Sequence, residues 1–177
     1  MPNFILNITS QNDDLMLSNP DIQCYILSSD IEHTSLQKLV HQISNAEKIS
    51  LLYGEKSVDI APLLSADGVL IDLSKSENIK KDIKNIRHQL PQGILGTICR
   101  NRRHEAMIIS ENEPDFIVFK IGGDGTDKTL ELAKWYNDFF LLQMAVFPQD
   151  AEADFTQYPC DIVILTPERY KIFVAKK

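Results

Sequence analysis

The sequence changes its hydrophobic period again and again. A short aliphatic or β-branched run is followed by a longer stretch with apolar residues three and four apart, and the pair then recurs. The short runs occupy residues 24–27, 50–53, 68–73, 93–98, 115–120, 140–146 and 161–165. Near-continuous apolar runs of this length predict strands buried on both faces, as in a parallel sheet covered by helices. The stretches between them predict helices. Residues 33–45 place Leu36, Leu39, Val40 and Ile43 on one face, and residues 76–90 keep Ile79, Ile83, Ile86 and Leu90 in register. Further helices are predicted over 58–65, with Pro62 in the first turn, over 102–111 and over 126–137, and a weaker one over 150–158. Residues 170–173 are expected to extend the last strand or to form an edge.

Seven strands from Cys24 onward, with residues 3–8 available as an eighth, allow an open doubly wound sheet or a closed barrel. The number of units favours the barrel. The chain has 177 residues, short for a fold that typically takes about 250. The expectation is therefore an α/β protein with one domain over residues 1–177: a compact (βα)8 TIM barrel, imperfect or missing a helix near the N-terminus. Hydrophobic residues at 44% and charged residues at 24% exclude a disordered, collagenous or coiled-coil chain.

Charge and cysteine usage narrow the function classes. Lys and Arg total 18 against 25 Asp and Glu, a formal net charge of −7, which argues against general nucleic-acid binding. A local anion site remains compatible with that balance. The apolar runs are far below the roughly 18 residues of a membrane helix, so no membrane partner is expected. Residues 1–14 lack the basic start of a signal peptide. Cys24, Cys99 and Cys160 are odd in number and widely spaced, with no CxxC pair. This predicts neither a disulfide framework nor a zinc site, and a cytoplasmic setting.

In a parallel α/β fold the site lies at the carboxyl ends of the strands. Two loops there attract attention. Arg100, Arg102 and Arg103 stand at a strand end and helix start, where backbone N–H groups favour anions. A solvated basic turn is the alternative. The segment 121–128, Ile-Gly-Gly-Asp-Gly-Thr-Asp-Lys, lets the backbone approach a ligand and sets Thr126 and Lys128 at a helix start suited to phosphate. It meets neither nucleotide-binding glycine motif, and a turn capped by Thr126 is the equal alternative. Asp72 ends a strand and is a candidate cation ligand. Cys99 beside Arg100 is either an activated thiol or a small buried hydrophobe. Asp67, ahead of Gly68, reads as a turn residue. His41 and His88 read as surface residues, and Trp135 as a packing residue.

The order of these segments resembles the thiamine phosphate synthase and thiazole tautomerase family. The likeness rests on Leu51-Leu-Tyr-Gly-Glu-Lys-Ser-Val-Asp-Ile-Ala61, Ala66-Asp-Gly-Val-Leu-Ile71, Gly93-Ile-Leu-Gly-Thr-Ile98 with His104-Glu-Ala106, and Pro114-Asp-Phe-Ile-Val-Phe119. It covers roughly residues 50–128. The resemblance implies a compact (βα)8 barrel that joins a hydroxymethylpyrimidine diphosphate to a thiazole phosphate, with Mg2+ and basic residues on the leaving pyrophosphate. It places Lys128 on phosphate, with Thr126 one place off the family position, and Glu55 on metal; an active enzyme of this type would add Arg100, Arg102 and Arg103 on phosphate and Glu55 or Asp72 on magnesium.

The chain departs from the family pattern at several of these places. Gly54-Glu55 stands where the family has Asn-Asp, and Leu70 where it has a histidine. Lys75 replaces the second magnesium carboxylate, and residues 145–148 carry no phosphate-loop glycines. Two readings follow. One is an active thiamine phosphate synthase-type transferase. The other is a catalytically degenerate member acting as a ligand-sensing or protein-binding module. The partner expected is a small phosphorylated ligand, and self-association into a homo-oligomer is compatible with both readings.

Overall fold

The structure, a computed structural model, describes residues 2–122, 126–150 and 153–176. Eight parallel strands close into a barrel in chain order: β1 Asn3–Ile8, β2 Ile22–Ser28, β3 Ile49–Tyr53, β4 Gly68–Asp72, β5 Ile94–Cys99, β6 Phe116–Ile121, β7 Gln143–Pro148 and β8 Ile162–Leu165. Pairing of β1 with both β2 and β8 makes the closure. The N-terminal run is therefore the eighth strand. Among the described residues there are six α-helices: α1 His33–Asn45, α2 Ser57–Leu64, α3 Ile79–Gln89, α4 Arg103–Glu111, α5 Thr126–Phe139 and α6 Pro167–Ala175.

No helix joins β1 to β2, as the length had suggested. The stretch after Ile8 is a run of turn-forming residues, and it folds onto its own side chains: Asp13 Oδ2 accepts from the N–H groups of Thr9 and Ser10 at 2.8 and 3.0 Å. Leu15 then buries itself where a helix would lie, with Met16 and Leu17 against the same core. Lys48 Nζ pins the return by donating to the carbonyls of Asn19 and Ile22 at 2.7 and 2.6 Å.

Several expectations are corrected. Residues 170–173 lie in α6, not in a strand. Thr166 Oγ1 accepts from Arg169 N and Pro167 opens the helix, a start signal that outweighs the strand-like aromatic and aliphatic residues Tyr170, Ile172 and Phe173. The weaker helix over 150–158 is only a 3₁₀ turn at Phe155–Gln157, held by Asp154 and anchored by buried Phe155 and Tyr158; residues 151–152 lie outside the described set. Pro62 sits inside α2, beyond its first turn. α3 begins at Ile79 under an Asn78 cap rather than at Ser76, whose hydroxyl bonds Asp82 instead.

The odd and even strands are stitched in the same way three times. The residue before an even strand is Asp67, Asp115 or Asp161. The main-chain N–H of each donates to the preceding odd strand, to the carbonyls of Ser50, Leu95 and Met144 at 2.9, 2.8 and 3.0 Å. Each carboxylate then accepts the N–H of that same residue, at 2.8, 2.7 and 2.9 Å. Asp67 is thus the turn residue expected from sequence, and one of a set of clamps.

Two apolar cores result. The larger lies between strands and helices, with Tyr136 and Phe119 edge to face at 5.5 Å. The smaller fills the barrel. Following the strand register around the barrel, residues at one height advance by one position per strand. The interior therefore stacks in layers of four from alternate strands, as barrels do. From the bottom these are Cys24, Gly68, Phe116 and Ile162; Ile5, Leu51, Gly96 and Ala145; and Ile26, Leu70, Val118 and Ile164.

Candidate functional site

The next layer up, Asn7, Tyr53, Ile98 and Phe147, is the floor of the barrel mouth, and the layer above it is polar: Ser28, Asp72, Lys120 and Thr166. Strand alternation alone puts these side chains inward, since each lies two residues beyond an inward-facing apolar one. Asp72 from β4 and Lys120 from β6 meet across this layer, with Lys120 Nζ 2.6 Å from Asp72 Oδ2. Asp72 is also bonded by Ser74 N at 2.9 Å. Burial pushes the Asp72 carboxyl up, but the hydrogen bonds from Lys120 and Ser74 outweigh it and hold it below its ordinary value. Asp72 is therefore a carboxylate at neutral pH.

Asn7 is 8% exposed, and its Oδ1 accepts no hydrogen bond among the described residues. An unmatched buried acceptor costs free energy. A cavity of about 560 Å³ lies to one side of the mouth, between the segment after β7 and α6, lined by Phe155, Arg169, Ile172 and Phe173 among others; it reaches the polar layer at Thr166, and neither Asp72 nor Lys120 lines it. Asn101 ties two rim segments together, its Nδ2 donating to Lys120 O at 2.8 Å and Thr129 Oγ1 at 3.0 Å.

The residues expected from sequence are distributed unevenly. Asp72 is in the mouth. Glu55 is exposed in the turn after β3. The three arginines do not converge. Arg100 donates through Nε and Nη2 to Ser74 O and lies 3.4 Å from Glu105. Arg103 sits over the Trp135 ring at 5.1 Å. Arg102 is exposed at the start of α4. Lys128 is exposed in the first turn of α5. Thr126 opens that helix, but its side chain and residues 123–125 of the glycine-rich segment lie outside the described residues. Cys99 is buried, donates to Arg100 O, and has its thiol pushed up to about 12 by burial. It is the small hydrophobe, not the activated thiol. His41 and His88 are exposed as expected.

No three His, Cys, Asp or Glu side chains among the described residues gather into a set able to hold a metal ion. Asp72 faces an ammonium, and exposed Lys75 follows it in the same loop. Lys120 was not singled out from sequence. Its signal was available: it is the lone charge in the strand Phe-Ile-Val-Phe-Lys-Ile, at the inward-facing step of the period-two pattern.

No known protein-family model matches the sequence, and no curated protein matches it. Solved structures do resemble the fold. A tryptophan synthase from M. tuberculosis, in an open form with BRD0059 bound, superposes with a TM-score of 0.68 at 9% identity, covering 98% of this chain and 86% of that one. A cube-shaped, highly porous protein cage designed by fusing symmetric oligomeric domains gives a TM-score of 0.64 at 8% identity, over 93% of this chain and 63% of that one. At such identity the likeness speaks to the fold, a closed eight-stranded parallel barrel, and to nothing finer. No helix among the described residues is long and apolar enough to cross a membrane.

Proposed function

We propose that this chain is a thiamine phosphate synthase-type barrel refitted to bind a small organic ligand at its mouth, and that it does not join a pyrimidine diphosphate to a thiazole phosphate. One observation carries the reading: Lys120 Nζ lies 2.6 Å from Asp72 Oδ2. Asp72, the strand-end carboxylate that an active enzyme would have to turn to magnesium, is matched by a cation of the chain itself. A divalent ion brought there meets an ammonium in place of a second carboxylate, the reverse of the charge arrangement it needs. The dispersed arginines add no anion clamp. Floor and polar layer still offer an apolar base with polar groups above it at the mouth, and the cavity beside it meets that layer at Thr166.

The proposed setting is the cytoplasm, supported by three cysteines that are all free. The net charge of −7 supports a partner that is neither nucleic acid nor anionic membrane. The synthase reading draws its support from Lys128, exposed in the first turn of α5 as a phosphate ligand needs to be. The test is product formation from hydroxymethylpyrimidine diphosphate and thiazole phosphate with magnesium, native protein beside Lys128→Ala. The expected result is no product from either folded protein. Turnover by the native chain that disappears in the variant would overturn the proposal.

A further inference from the structure

Lysine is a costly choice on the inner face of a barrel strand. It is depleted in strands, and its ammonium loses hydration as it approaches the apolar floor. The ion pair with Asp72 does not account for it. Both side chains are about a third exposed, at 32% and 29%, and pairs of that kind contribute little to stability. Beneath Lys120 lie Tyr53, Phe147 and Asn7, the last with a buried acceptor that no described residue satisfies. An amine beside a proton acceptor, over an apolar floor with a spare acceptor, on rigid strands rather than loops, is an arrangement for covalent capture of a carbonyl.

We propose that Lys120 forms an imine with a small hydroxylated aldehyde or ketone admitted at the barrel mouth, with Asp72 taking and returning the proton. The Lys120 ammonium gives a proton to Asp72 Oδ2. The freed nitrogen lone pair attacks the carbonyl carbon, and the C=O π pair moves to oxygen, which takes up the second amine proton. The carbinolamine then loses water: Asp72 returns its proton to the departing hydroxyl, the C–O bond breaks, and the nitrogen lone pair completes C=N. One water leaves, and no oxidant or reductant is needed. An uncharged ligand is favoured over an oxo acid, because Asp72 already fills the place of the anion beside the ammonium.

The inference rests on the ligand-binding reading and is tested separately from it. The full chain is incubated with dihydroxyacetone, reduced with borohydride and mapped by peptide mass. The expected result is a reduced adduct on Lys120 that accumulates about tenfold or more faster than on exposed lysines such as Lys80 and Lys84. Lys120→Arg should abolish that adduct and leave the surface adducts unchanged, with folding checked by melting. Labelling of Lys120 no faster than the surface lysines would overturn the imine while leaving ligand binding intact. Synthase turnover would overturn the underlying reading whatever the adduct map.

Discussion

Replacing Gly96 by alanine lowers stability by ~1–3 kcal/mol, and replacing Phe116 by alanine lowers it by ~3–5 kcal/mol. Both costs come from one contact inside the barrel. Phe116 is 4% exposed in the lowest layer, and its ring rises into the gap left by Gly96 in the layer above. A Cβ built on Gly96 would lie 2.2 Å from the far ring carbon and 2.7 Å from its two neighbours. Those atoms end an aromatic side chain wedged among the inner faces of eight strands, so it has nowhere to retreat. Removing the ring leaves a cavity that closed strands collapse into poorly. The pair is also predicted to couple. Gly96→Ala combined with Phe116→Leu should be less destabilised than the sum of the two single variants, by ~1–2 kcal/mol. Urea unfolding of the four proteins measures this, and simple additivity would mean that the ring does not occupy the gap.

The triple variant Asp67→Ala, Asp115→Ala, Asp161→Ala is expected to lose ~3–6 kcal/mol, a large part of the ~5–15 kcal/mol that holds a domain together. Each carboxylate accepts a strand-end N–H within 2.9 Å, and charged acceptors make the stronger hydrogen bonds. The clamps differ in their surroundings. Asp67 also accepts from Ser50 Oγ at 3.2 Å, and Asp115 from Arg87 at 2.9 Å. Because they lie on different strand pairs, the single losses should add. Asparagine at the same positions keeps an acceptor and should recover about half the loss. Denaturant midpoints of the singles, the triple and the asparagine triple test this. A triple variant as stable as the native chain would show that the clamps only decorate strands fixed by the apolar layers.

The alternation of strand and helix was legible because parallel strands buried on both faces cannot hide their apolar runs. Barrel closure followed from the number of runs, and the absent first helix from the length. Elsewhere local signals conflicted. Residues 170–173 look like a strand when read alone, but Thr166 and Pro167 start a helix before that run begins. The arginines look like a cluster because they are close in sequence. Arg100 still follows the strand while Arg103 rides on α4, so their side chains part. Lys120 was legible only once inward and outward positions were assigned, because a strand-end charge is ambiguous by one residue. Asn7 offers no sequence signal at all, since its significance lies in a missing partner. The three aspartates repeat the same step, one residue ahead of a strand, yet only the paired registers reveal that each binds the neighbouring strand.

The most direct test of the central claim, that Lys120 rather than a metal ion is the partner of Asp72, is a crystal structure of the chain grown with magnesium and pyrophosphate. The account predicts that Lys120 Nζ stays within hydrogen-bond distance of Asp72 Oδ2, near the 2.6 Å of the free chain, with no magnesium on that carboxylate. An Asp72 side chain turned away from Lys120 and ligating magnesium, with pyrophosphate on Lys128, would contradict the account and restore the synthase.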